Sequence, residues 1–168
     1  MAASAWGALW SVETVDPNIP LPTHYDGMCP SIDVDSHGQP HIAYGVMAKW
    51  VSDEYFQFDF DLRYAQRKGG VWSTQDVMTK TPDRDSIGRF PSMQLDSHDN
   101  VHISCQETQF GGGWEGDLWY VYGDGSGWHP EEAEDWRTCG HYSHLSLYES
   151  GGTVTPFISH NEHANRDF

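Results

Sequence analysis

The chain is predicted to be all-β, folded as repeated antiparallel sheets, and three observations lead there. Aromatic residues make up 14% of the 168 residues, with 17 Gly and 9 Pro among them, a mixture that suits short strands joined by tight turns. No long apolar stretch has a helical period. The sequence also repeats itself, which is the signature of a repeat architecture. Residues 30–44 read Pro-Ser-Ile-Asp-Val-Asp-Ser-His-Gly-Gln-Pro-His-Ile-Ala-Tyr, and 91–105 read Pro-Ser-Met-Gln-Leu-Asp-Ser-His-Asp-Asn-Val-His-Ile-Ser-Cys. A third, weaker copy starts near Tyr142.

The elements follow in chain order. Leu9-Trp10-Ser11-Val12-Glu13 matches a motif that closes the later copies, so residues 9–15 are expected to form a lone strand of type D. In the first full copy, residues 30–78, Ile32 and Val34 alternate with Ser31 and Asp33, a period-two strand with one apolar face, A (31–35). The turn Asp35-Ser36-His37-Gly38 suits a short hairpin loop, because Asp caps backbone donors and Gly tolerates positive φ. Strand B (40–45) holds His41-Ile42-Ala43-Tyr44, C (61–66) holds Leu62-Arg63-Tyr64, and D (71–78) holds Val71-Trp72-Ser73. The second copy, 91–132, repeats these as Met93/Leu95, His102-Ile103, Leu118-Trp119-Tyr120 and Gly127-Trp128. The third, 142–168, has Leu145 and Leu147 in strand A and reaches about as far as the start of strand C. His41 and His102 recur at one repeat position, which points to a packing or hydrogen-bonding role; Asp35 and Asp96 read as turn caps, with calcium a minor alternative.

Four short antiparallel strands per repeat are the blade of a β-propeller. Residues 1–168 are therefore expected to be a single domain of three blade repeats, half a propeller, too few to close a ring that starts at about four blades. The leading expectation is a six-bladed ring formed by a homodimer, with strand exchange between termini: the first strand of each chain completes the last blade of its partner. A larger closed assembly, a piece of a longer propeller and a non-propeller β fold stay open.

The string Pro-Ser-x-x-x-Asp-Ser-x-Gly-x-Pro-His-Ile-Ala-Tyr, with Leu62-Arg63-Tyr64-Ala65 and a Gly-x-Trp strand, resembles repeats of bacterial propeller proteins of the sialidase-like, BNR-repeat type. The resemblance covers nearly the whole chain and implies the propeller fold. It is open as to function, because such propellers include sialidases, polysaccharide lyases and lectins. The sialidase Asp-box, Ser-x-Asp-x-Gly-x-x-Trp, is not matched by the run from Ser31-Ile32-Asp33-Val34, and no arginine triad can be placed. No catalytic residue is carried over.

Composition narrows the partners. A formal charge of −16, from 25 acidic against 9 basic residues, repels phosphate backbones and argues against nucleic acid. No run of apolar residues is long enough for a transmembrane helix, so no membrane partner is expected. Cys29, Cys105 and Cys139 are too few and too irregular for a disulfide framework or zinc ribbon. With no signal-peptide pattern at the start, this weakly favours the cytoplasm.

In a propeller the D-to-A and B-to-C connections gather on one face around the central channel, and rigid scaffolds commonly carry function on such loops. The D–A loops span roughly 16–29, 79–90 and 133–142, and the B–C loops roughly 46–59, 106–116 and 160–167. The candidate ligand-binding residues there are His24, Tyr25, Asp26, Trp50, Arg84, Arg89, Trp114, Arg137, His141 and His144. Aromatic rings beside polar groups suit sugars, because rings stack on pyranose faces while polar groups take hydroxyls. The spacing His141-x-x-His144, with Cys139 nearby and His160/His163 also three apart, raises a metal site. Hydrogen-bonded or solvated histidines are the expectation, and no metal or cofactor is assigned. The reading is a non-enzymatic, lectin-like carbohydrate-binding module. The alternatives are a carbohydrate-active enzyme (glycoside hydrolase or polysaccharide lyase) and a protein-interaction scaffold.

Overall fold

The computed structural model describes residues 11–17, 19, 28–52, 57–79, 81, 86–110, 114–135 and 139–162, and within these it holds eleven strands and no helix. The first sheet is β1 (Met28–Val34), β2 (Pro40–Ser52), β3 (Gln57–Lys68) and β4 (Val71–Met78), antiparallel and in chain order. The second repeats that order with β5 (Ser86–Leu95), β6 (Val101–Phe110), β8 (Leu118–Gly123) and β9 (Trp128–Glu134). A two-residue strand, β7 (Trp114–Glu115), pairs with the end of β6. The third sheet is the hairpin β10 (His141–Ser150) and β11 (Thr153–Asn161). Strands A to D of the sequence are thus β1 to β4, and their counterparts recur in the second sheet.

The repeated residues build the same local structure twice. Asp35 accepts the amides of His37 (2.9 Å) and Gln39 (2.7 Å), and Asp96 accepts those of His98 (2.8 Å) and Asn100 (2.9 Å). Each turn needs one left-handed residue: Gly38 at φ 76° in the first, Asp99 at φ 63° in the second, Asp being among the few side chains that tolerate it. Behind each turn stands a buried histidine. His41 Nε2 is 3.5 Å from Asp35, and its Nδ1 meets the Tyr64 hydroxyl. His102 Nε2 is 3.5 Å from Asp96, with its Nδ1 2.6 Å from the Tyr120 hydroxyl. Each Asp–His–Tyr chain ties a turn to the third strand of its sheet, the hydrogen-bonding role expected of these histidines.

The core lies between sheets. Ala43, Leu62, Tyr64 and Met78 of the first sheet pack against Ile87, Met93, Ile103, Cys105 and Val121 of the second. Trp128 meets Tyr64 edge to face at 5.2 Å, an arrangement the ring quadrupoles favour. A ladder of side chains joins the first strands of successive sheets. Ser31 and Asp33 of β1 accept the amides of Met93 (2.9 Å) and Leu95 (2.8 Å). Ser92 and Gln94 of β5 accept those of Leu145 (3.0 Å) and Leu147 (2.9 Å). These bonds satisfy donors on an outer strand edge, which has no neighbouring strand to take them.

Two expectations change. Residues 11–15 form no strand in this chain. Val15 and Ile19 instead pack on Tyr44, Val46 and Ala65, on the face of the first sheet turned away from the second. Asp16 accepts from the Tyr44 hydroxyl (2.9 Å) and Arg63 (2.8 Å), and Glu13 from Arg67 and the Trp72 indole. The strands also run further than the alternation of apolar residues shows. β2 and β3 continue as a ladder through Trp50↔Phe58 to Ser52↔Gln57, so most of the expected 46–59 loop is a hairpin.

Candidate functional site

The first strands of the three sheets line a common groove. A cavity of about 340 Å³ opens between Ser31 and Asp33 of β1, Ser92 and Gln94 of β5, and Ser143 and His144 of β10. One rim of this groove, where each first strand begins, is unusual in its backbone.

Cys29, Phe90 and Tyr142 have φ of 51°, 50° and 50°, in the left-handed region. They occupy one repeat position, just ahead of Pro30-Ser31, Pro91-Ser92 and Ser143-His144. A non-glycine residue there costs about 1–2 kcal/mol. The kink is accompanied by a register shift in each first strand, at Met28/Ser31, Arg89/Ser92 and His141/His144. An extra residue of this kind bends a strand and re-aims its side chains. Two steps earlier stand Gly88 (φ 90°) and Gly140 (φ 78°). Gly88 is pressed so closely on the first sheet that a Cβ would lie 2.6 Å from the Leu62 Cα.

The re-aimed side chains meet at the rim. The Phe90 ring lies 4.5 Å from that of Tyr142 and 5.4 Å from that of His141, and the Arg89 guanidinium carbon is 5.4 Å from its centroid. Tyr142 is 64% exposed, so one side of its ring is held while the rest faces solvent. His141 is buried. Arg89 is partly buried, and this holds its pKa below the usual arginine value. Its Nε is shut off from solvent and meets no acceptor among the described residues.

Buried polar groups brace this end of the sheets. The Ser86 hydroxyl accepts the Phe60 amide (2.9 Å), Gln106 donates to the Cys139 carbonyl (2.9 Å), and Ser143 donates to the Phe90 carbonyl (3.2 Å). Burial pushes the thiols of Cys105 and Cys139 up to about 12 and about 11, so neither supplies a thiolate at neutral pH.

Of the ten candidate residues, the structure brings Arg89 and His141 together. His24, Tyr25, Asp26, Arg84 and Arg137 lie outside the described residues. Trp50 and Trp114 belong to β2 and β7, opposite Phe58 and Phe110, rather than to loops, because the strand ladders run on; their side chains lie outside the description. His144 lines the groove and is exposed, whereas His141 is buried toward the second sheet. The extra residue between them leaves one imidazole buried and the other exposed in the groove, and the x-x spacing does not make a shared metal site. His160 is taken by Glu134 (2.8 Å) and accepts the Gly140 amide (3.2 Å); His163 lies outside the described residues.

Phe90 and Tyr142 escaped the sequence reading. The signal was their shared position with Cys29 ahead of the repeated Ser, legible only when a left-handed backbone is known to sit there.

A second grouping, Asp35, His37 and Asp99, has ligand-type atoms within 4.8 Å of one another. Both carboxylates are already engaged: Asp35 by the Gln39 and His37 amides, Asp99 by the Ser36 amide (2.8 Å) and hydroxyl (2.6 Å). Those donors hold both groups below the ordinary carboxylate range. The grouping is a bridge between two turns of successive sheets. No protein-family model matches the chain, and no curated protein matches it.

Proposed function

We propose that the chain is half of a six-bladed propeller and binds carbohydrate, without turnover, at the loop-side rim of the groove between its first strands. The observation that supports this is the Arg89–Phe90–His141–Tyr142 cluster, set on a strained backbone position that recurs in all three sheets. A phenol ring steadied from one side and open on the other is a stacking platform for a pyranose face. The Arg89 guanidinium supplies donors for hydroxyl or carboxylate oxygens, and the Ser and Asp side chains lining the groove supply further polar contacts. Strain kept at one repeat position fits a role in aiming side chains rather than in stability.

The propeller reading draws on the recurring sheet order, the inter-sheet ladder and the sequence likeness to sialidase-type repeats. The test is a glycan array followed by titration calorimetry with the best oligosaccharide. Binding is expected, with stoichiometric heat, no release of reducing or unsaturated sugar, and at least a tenfold loss of affinity for Tyr142→Ala. Sugar release would move the assignment to a carbohydrate-active enzyme. Absence of binding to any glycan, or binding indifferent to Tyr142→Ala and Arg89→Gln, would end it.

A further inference from the structure

The two outermost faces of the molecule differ from every inner one. On the first sheet, Ile32 of β1 is 63% exposed, although its repeat equivalents Met93 and Leu145 are 3% and 0% exposed, and Val34 is 53% exposed where Leu95 and Leu147 are partly buried. On the third, the alternation in β10 and β11 leaves Tyr148 and Phe157 exposed at 60% and 59%. Aromatic and branched apolar residues grouped on sheet faces mark surfaces that are covered in use.

We infer that these faces cover each other: the open face of β10–β11 takes the first sheet of a second copy of this chain. The inference rests on the propeller reading above and adds which surfaces meet and through which atoms. The polar ladder says how. At each internal junction, a side chain two residues apart from the next on one first strand accepts alternate amides of the following one: Ser31 from Met93 and Asp33 from Leu95, then Ser92 from Leu145 and Gln94 from Leu147. Continued once more, the acceptor positions are His144 and Ser146, and the donors are the amides of Ile32 and Val34 in the second copy. Both acceptors belong to the exposed face of β10. The Val34 amide here turns to its neighbour's Asp33 carboxylate (2.8 Å), an exposed local bond that the second copy would replace.

The N-terminal segment fits the same junction. Val15 rests on Tyr44 and Ala65 of the first sheet, much as Val77 and Met78 rest against the core side of the second. Residues 11–17 and 19 thus already lie where the outer part of a preceding sheet would be. Docking would carry this segment toward β11, whose outer edge pairs with no strand among the described residues. The interface is isologous: each copy gives one face of each kind, and the two-fold closes the ring.

The test is solution mass by multi-angle light scattering, combined with amide hydrogen exchange. The expected mass is twice the 19.0 kDa of one chain, and the Ile32 and Val34 amides should exchange at least tenfold more slowly than in a dissociated variant. Ile32→Asp and Phe157→Asp, both at exposed positions and so compatible with folding (checked by circular dichroism), should each give the one-chain mass. A one-chain mass for the unaltered protein overturns the inference. So does a double mass that survives both substitutions, or one that leaves the Ile32 and Val34 amides unprotected. Glycan binding is measured separately: a single-chain protein that still binds sugar refutes the paired ring and leaves the sugar site standing, whereas a closed pair that binds none refutes the sugar site alone.

Discussion

Gly88→Ala probes the contact that sets the spacing of the first two sheets and the start of the strained rim. Two costs are legible at this position. The backbone sits at φ 90°, and a methyl group would lie 2.6 Å from the Leu62 Cα and 2.8 Å from both its N and Cβ, well inside van der Waals contact and mostly against main chain. Overpacking a fixed core costs about 1–3 kcal/mol, and a left-handed backbone about 1–2 kcal/mol for a residue with a Cβ. Together they come to about 3 kcal/mol, which for a chain of this length lowers Tm by roughly 6–12 °C. Gly38→Ala separates the two terms, because Gly38 has φ 76° and nothing within 4 Å of the added methyl. It should show the backbone cost alone, about 1.5 kcal/mol and roughly 3–6 °C. Thermal melts followed by circular dichroism, with urea titrations to check that the m-value is unchanged, give both numbers. Equal destabilisation by the two substitutions would refute the close approach of β3 and β5 as the reason for glycine at 88.

Three further outcomes follow from the same geometry. Asp16 is 3% exposed where it holds Arg63, itself 18% exposed, so Asp16→Ala should cost roughly 2–3 kcal/mol, softened because Arg63 keeps Asp76; protease sensitivity near residues 11–19 should rise, and an unchanged urea midpoint would contradict the docking of that segment. Ser92→Ala removes the acceptor of the Leu145 amide and should cost about 1 kcal/mol, with faster exchange at that amide as the check. Burial lowers the pKa of His102 below 6.5, a shift its Asp96 contact offsets only in part. The unfolded chain therefore gains this proton at a higher pH than the folded one, and stability should fall as pH drops below about 6.5. In His102→Gln the slope of Tm between pH 7 and 5 should be shallower, and an identical slope would exclude His102 as its source.

Much of the fold was legible because its signals are local. Alternation at Ser31–Val34 and at Ser92–Leu95 marks first strands, and Asp35 with Gly38, or Asp96 with Asp99, marks the turns. The histidine behind each turn recurs in sequence because the turn, the second strand and the third strand need one bridging ring. The extent of the strands was not legible. Residues 46–59 lack clean alternation and contain Lys49, Ser52 and Asp59, yet pairing between β2 and β3 runs on as far as Ser52↔Gln57, since backbone bonds in a ladder depend little on side-chain polarity. The rim was half legible: Arg89 and His141 stand out as residue types, whereas Phe90 and Tyr142, at the ends of the expected 79–90 and 133–142 loops, gain their meaning only from the positive φ that aims their rings.

The sequence alone determined that this protein is a repeat of short antiparallel strands, and which residues occupy equivalent places, because a period in the chain survives any arrangement in space. Tertiary structure decided which face of each strand is buried, that His141 and His144 part company, and that residues 11–15 lie across a sheet instead of joining one. Those outcomes depend on what stands opposite each residue once the sheets are stacked, and that neighbour can be dozens of positions away in the chain.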